Sequence, residues 1–139
     1  MELCCIIKPN GIRDEDGMRE LLAEGGITLR ERKPITYTAG MIHRLYDHMT
    51  DEARSEIARE FDGKLGVALL IEAKSLKHLL AVAGHHSDPR KCKAGTIRAR
   101  FGVHDCGTRM GTSPWWDNRF HRPKTRAEAA RDLALIFGR

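Results

Sequence analysis

Leu3-Cys4-Cys5-Ile6-Ile7-Lys8-Pro9-Asn10-Gly11 decides how the rest of the chain is read. Leu3 to Ile7 is apolar throughout, with no polar face, as in a central strand covered on both sides. Pro9-Asn10-Gly11 is a turn signal that stops the strand at once. Lys8 is left at the strand end, where a turn holds the backbone open. There it is a preorganised point charge suited to a phosphate. Taken alone, it reads as an ordinary strand-end lysine.

Outward from that strand, helical and extended patterns alternate. Met18, Leu21, Leu22 and Gly25 fall at helical spacing, and Gly25-Gly26 supplies the stop. Ile27 to Thr38 reads as a second strand, irregular around Pro34. Ile42, Leu45, Tyr46 and Met49 form a helical stripe, and Thr50 can cap a further helix carrying Ala53, Ile57 and Phe61. After a turn at Gly63, Leu65 to Ile71 is another apolar strand. Ser75 can cap the next helix, closed by Gly84. From Gly84 to about Asn118 regularity fails, apart from a short helical turn around Thr96–Phe101. Loops of that length are usually functional or mobile. Asn118 to His121 reads as the edge of a last strand. Thr125-Arg126-Ala127-Glu128 is a capping-box pattern opening a final helix with Ala130, Leu133, Ala134 and Phe137 on one face. Strands separated by helices in this order argue α/β or α+β with helices on one face of a sheet.

The 139 residues allow one domain, 1–139, with room for one core. Charged residues make up 31% and the net charge is +5, which suits phosphate-bearing ligands and equally suits weak nucleic-acid binding. Cys4 and Cys5 are neighbours in an apolar run, a poor start for a disulfide framework. Lys8 and Pro9 interrupt that run, so no signal peptide is expected, and no stretch approaches the length of a membrane span. A soluble, reduced, cytoplasmic protein is the expectation.

Three pieces occur in an order that resembles nucleoside diphosphate kinase: Ile7-Lys8-Pro9-Asn10-Gly11, Gly95-Thr96-Ile97-Arg98, and Asn118-Arg119-Phe120-His121 running into the helix that ends Leu135-Ile136-Phe137. The resemblance implies an α+β fold, a ferredoxin-like antiparallel sheet with helices packed on it. It implies a phosphotransferase that moves the γ-phosphate of a nucleoside triphosphate to a nucleoside diphosphate through a phosphohistidine. His121 would be the nucleophile, and imidazole suits that role because its unperturbed pKa lies near neutrality. Lys8 and Arg98 would hold phosphates, the arginine through its planar fork. Asp132 stands where the family has a glutamate that orients the histidine. Tyr46 matches a tyrosine near the histidine, and reads equally as a core aromatic. Asn118 would position phosphate or sugar hydroxyls, or cap a turn. ATP is the implied phosphoryl donor, with Mg2+ carried by the nucleotide phosphates. Nucleoside di- and triphosphates are the implied partners, and a homo-oligomer is implied because the family forms hexamers, tetramers and dimers.

The chain departs from the family at four places. Glu52-Ala53-Arg54 stands near the phenylalanine on which the family stacks the base. Leu80 stands where the family has an arginine on the helix before a loop, with Lys77, Arg90 and Lys91 as candidate replacements. His121-Arg122-Pro123-Lys124 replaces His-Gly-Ser-Asp, so Pro123 takes the place of the supporting serine. The stretch from Arg98 to His121 is longer, and its surplus includes Gly107 to Trp116, with Pro114, Trp115 and Trp116. Tandem tryptophans in a polar loop read either as a contact surface for a base or another subunit, or as a plug onto the core. His85-His86 with His104-Asp105-Cys106 fits no zinc spacing, so no protein metal ligand is assigned. The departures keep a rival open, a catalytically impaired nucleotide-binding or regulatory module of the same fold. A nucleic-acid-binding domain has only the net charge behind it and no membrane partner is expected.

Overall fold

A computed structural model of the protein describes residues 1–103, 108–109, 113–114 and 116–139. The expectations that rest on His104, Asp105, Cys106, Gly107 and Trp115 lie outside the described residues.

The apolar run at the start forms β1 (Glu2–Ile7), buried at every position but the first. It pairs antiparallel with β3 (Leu65–Glu72), Leu3 opposite Ile71 and Ile7 opposite Val67. On its other side it pairs antiparallel with β6 (Phe120–His121), Ile6 opposite His121 and Ile7 opposite Phe120. β2 (Thr28–Thr36) pairs antiparallel with β3 and closes the far edge, so the sheet order is β2-β3-β1-β6. The register shift in β2 falls between Leu29 and Glu31, not around Pro34 as the sequence implies. Pro34 sits on an edge strand, where its missing N–H need satisfy no ladder bond. A separate two-stranded ribbon, β4 (Thr108–Arg109) with β5 (Ser113–Pro114), lies in the irregular region.

Alternation along β1 sorts the core into two layers. Leu3, Cys5 and Ile7 pack with Met18 and Leu22 of α1 (Glu15–Glu24), Leu79 and Ala83 of α4 (Leu76–Ala83), and Ile97 of α5 (Ile97–Phe101). Cys4 and Ile6 pack with Ile42 and Leu45 of α2 (Ala39–Leu45), Ile57 and Phe61 of α3 (Asp51–Phe61), and Ile136 of α6 (Arg126–Phe137). Helices therefore cover both faces of the sheet rather than one. An antiparallel sheet with an all-apolar central strand requires this, because either bare face would expose Leu3 and Ile7 or Cys4 and Ile6 to water. Burial pushes the Cys4 and Cys5 thiols far above their ordinary value, which keeps both as inert hydrophobes.

The helices begin where hydroxyl caps are placed. Thr50 Oγ1 accepts from Ala53 N and Ser75 Oγ from His78 N. Thr125 and Glu128 form the reciprocal capping box at the start of α6. α2 ends at Leu45, a turn earlier than the Ile42-to-Met49 stripe implies, with Tyr46 as its cap residue.

Candidate functional site

The β1–β6 pairing brings the ends of the chain together. Ile6 faces His121 across the ladder, and Lys8 lies two residues beyond Ile6, so Lys8 and His121 project to the same side. Lys8 N donates to Arg119 O at 3.0 Å, and Lys8 Nζ donates to Asn118 Oδ1 at 2.8 Å. Asn118 is aimed there by a kink. Arg119 adopts φ 62°, a left-handed conformation that is costly for a residue with a side chain. Asp117 holds the kink. Its Oδ1 accepts from Arg119 N at 3.0 Å, and its Oδ2 accepts from Asn10 Nδ2 at 3.1 Å. The Asn10 of the turn after β1 thus braces the strand that carries His121.

His121 Nε2 lies 2.8 Å from Asp132 Oδ2. Asp132 is fully buried on α6, and its Oδ1 accepts from Arg131 Nε at 2.9 Å. Arg131 is tied in turn to Asp47 at 2.8 Å. A carboxylate accepts only, so Nε2 carries the proton and Nδ1 keeps the lone pair. Burial lowers the His121 pKa below its ordinary value; the Asp132 bond and charge oppose this, while Lys8 and Arg98 reinforce it. The ring is therefore neutral at pH 7. Tyr46 meets it edge-on at a centroid distance of 5.8 Å, and Lys8 Nζ lies 5.6 Å from the centre of the Tyr46 ring. Tyr46 also belongs to the core layer of Cys4 and Ile6, so it is a core aromatic that touches the histidine.

Arg98 comes from α5 on the opposite layer. Its Nε and Nη2 donate to Phe120 O at 3.0 and 2.8 Å, and its Nη1 to His86 O at 3.0 Å. Burial pulls its pKa down, with the Arg122 charge adding to the effect. Arg122, which the sequence offered no role, is buried beside it and donates from Nε to Gly84 O at 3.0 Å.

Lys8, Tyr46, Arg98, Asn118 and His121 all line one cavity of about 550 Å3. Asp132 stands behind the histidine, outside the lining. Arg122 joins the cationic part of the wall, while Met49, Ala53, Ile57, Phe61 and Trp116 supply apolar surface. Leu80 is not in the wall, and neither are Lys77, Arg90 and Lys91, the candidates to replace the helix arginine. Arg90 is instead held on Asp88 by two side-chain bonds. Pro123 is buried away from the cavity. His85 and His86 line it, but among the described residues no three His, Cys, Asp or Glu side chains form a metal cage. Nor is any helix among them long and apolar enough to cross a membrane.

No family model and no curated protein matches the sequence. Solved structures do match. The nucleoside-diphosphate kinase of Borrelia burgdorferi, a transition-state mimic with bound vanadate and ADP, aligns at a TM-score of 0.78 and 18% identity, over 99% of this chain and 86% of that one. The apo nucleoside diphosphate kinase of Encephalitozoon cuniculi aligns at 0.78 and 21% identity, over 99% of this chain and 89% of that one. The chain thus has the ferredoxin-like α+β fold of the nucleoside diphosphate kinases, over nearly its whole length.

Proposed function

We propose that the protein is a phosphotransferase that moves the γ-phosphate of a nucleoside triphosphate to a nucleoside diphosphate through a phosphohistidine at His121. The observation that carries this reading is the His121–Asp132 bond at 2.8 Å, on a cavity wall shared with Lys8, Arg98 and Asn118. A buried, neutral imidazole with its proton committed to a carboxylate is a nucleophile at Nδ1. Nδ1 attacks the γ-phosphorus with its lone pair. The N–P bond forms as the bond from phosphorus to the bridging oxygen breaks, and the diphosphate leaves with that electron pair. The Nε2 proton stays against Asp132, whose charge stabilises the ring as it becomes cationic. A second diphosphate then attacks the phosphorus through its terminal oxygen, and the electron pair returns to Nδ1. Lys8 and Arg98 offset the charge that moves onto the phosphate oxygens.

The donor set suits a polyanion that brings its own counterion. The wall is cationic at Lys8, Arg98 and Arg122, and its carboxylates are engaged, Asp117 with Asn10 and Arg119, Glu128 in the capping box of α6 and Glu56 with Arg59, while Asp132 behind the wall holds His121 and Arg131. Magnesium would be held by nucleotide phosphates and water, and there it neutralises phosphate charge. The apolar wall would take the base, with Trp116 as an available stacking surface in place of an aromatic at Ala53.

Incubation with γ-labelled ATP and magnesium tests the reading. Label that is acid-labile and base-stable, and lost in His121→Ala, is the expected result. A protein that binds ATP yet acquires no such label is an impaired nucleotide-binding module instead.

A further inference from the structure

Arg122 is 7% exposed, lines the cavity, and spends Nε on the Gly84 carbonyl. Its terminal nitrogens have no hydrogen-bond partner among the described residues, and no carboxylate there lies within ion-pair distance of it. The same lack of a carboxylate holds for its neighbour Arg98. Two buried guanidiniums on one wall repel each other, and a buried charge without a counterion is costly. Burial accordingly lowers the pKa of both. Backbone carbonyls take part of that cost, Phe120 O and His86 O for Arg98 and Gly84 O for Arg122, and an anion between the two forks would offset the rest. The anchor fits the same conclusion. Gly84 ends α4, the helix on which the expected clamp position holds Leu80, and Arg122 reaches that helix end from the residue after His121. The bond to Gly84 O fixes the fork while leaving its outer face for a ligand.

We propose that Arg122 is a phosphate clamp, binding the β-phosphate of the nucleoside diphosphate together with Arg98 and so making the site selective for di- over monophosphates. This rests on the nucleotide reading above and adds the residue that sets the number of phosphates recognised. Substituting for an absent clamp on α4, Arg122 enters the site from β6 instead.

Calorimetric titration of the folded protein with ADP and with AMP tests the clamp without turnover. The wild-type chain is expected to bind ADP more tightly than AMP. In Arg122→Gln the ADP affinity falls by roughly 10- to 100-fold, the scale of losing hydrogen bonds to a charged group, while AMP affinity changes little, so the preference collapses. A merely structural pin on Gly84 would weaken both ligands alike. Arg122→Lys keeps the charge but loses the fork, and if the glutamine variant does not fold, a reduced ADP-to-AMP preference in the lysine variant supports the clamp. A variant that folds and keeps the wild-type preference overturns it, with the kinase reading intact. Wild-type protein that binds ADP no better than AMP overturns both.

Discussion

His121 Nε2 and Asp132 Oδ2 meet at 2.8 Å, although one ends an edge strand and the other sits midway along the last helix. The pairing depends on the capping box at Thr125, which starts α6 immediately after the strand and sets the phase that turns Asp132 inward. The short aspartate side chain reaches the ring with α6 packed on β1, the strand that β6 pairs with. The carboxylate also receives Arg131, so it is held from both sides and fixes the imidazole tautomer.

Asp132→Ala should therefore slow His121 labelling by roughly 10²-fold or more while leaving the label in place, since the orienting group is lost and the nucleophile is not. The same variant leaves Arg131 and the Nε2 proton short of an acceptor. Urea unfolding should report a loss of about 1–3 kcal/mol. An unchanged labelling rate would remove Asp132 from the mechanism.

The depressed His121 pKa gives a pH dependence with a defined sign. Native His121 stays neutral below the ordinary histidine value of about 6.5, whereas the unfolded chain takes up a proton there. The contribution of His121 to stability is thus present above pH 6.5. It is lost as pH falls from 6.5 towards the native pKa, and the loss levels off below that. Melting temperatures of the wild type and His121→Asn, compared at pH 7.5, 6.5 and 5.5, should diverge least in the acid sample. Labelling should keep nearly its full rate at pH 6.5; a half-maximal point at or above 6.5 would contradict the buried, neutral ring.

Much of the layout was legible in the chain because it rests on local patterns. The apolar run Leu3–Ile7, the caps at Thr50, Ser75 and Thr125 and the stop at Gly84 each act within a few residues, and each appears where the pattern puts it. Coverage of both sheet faces was less evident, because periodicity gives a helix an apolar side without saying which face it meets. Lys8, Arg98, Asn118 and His121 stood out through the pieces around them. Arg122 did not, since its role follows from burial and from a bond to Gly84, 38 positions earlier. Asp117 and Asn10 escaped for the same reason: their work is to hold the Arg119 kink, which exists only once β1 and β6 meet. Lys77, Arg90 and Lys91 lie near Leu80 in sequence yet outside the cavity wall, whereas Arg122, 42 positions beyond Leu80, lines it.

Lys8 and Arg98 should separate when each is replaced by alanine. Lys8→Ala removes a charge bonded to Asn118 and should slow labelling roughly 10²–10³-fold, with a small change in melting temperature. Arg98→Ala should slow labelling on the same scale and also destabilise, because the Phe120 and His86 carbonyls lose their donor. About 1–3 kcal/mol for a buried group left unsatisfied is the expected loss. Equal stability of the two variants by urea unfolding would count against the structural half of Arg98's role.

Trp116 lines the cavity beside Met49, Ala53 and Ile57. Nucleotide binding should quench tryptophan fluorescence, and Trp116→Ala should abolish most of the quench and weaken ADP by roughly 10-fold, the scale of losing one base–aromatic stack. Inorganic pyrophosphate, which has no base, should bind both proteins equally. If Trp116→Ala leaves ADP affinity unchanged, the base lies elsewhere on the wall.

Gly84 and Gly63 both have positive φ, 118° and 80°, but their surroundings differ. A Cβ at Gly63 meets nothing within 4 Å, whereas one at Gly84 would lie 2.8 Å from Cys92 Sγ and 3.1 Å from Arg98 Cβ. Gly63→Ala should therefore cost only the backbone strain, about 1–3 kcal/mol, and leave His121 labelling at the wild-type rate. Gly84, with ψ 136°, lies outside the αL well, so Gly84→Ala carries at least as much strain, and it also pushes against Arg98 while moving the carbonyl that anchors Arg122. It should lose more stability than Gly63→Ala and should slow labelling as well. Paired urea unfolding and labelling of the two variants reads both effects. A Gly84→Ala protein that labels at the wild-type rate would show that neither guanidinium depends on the end of α4 for its position.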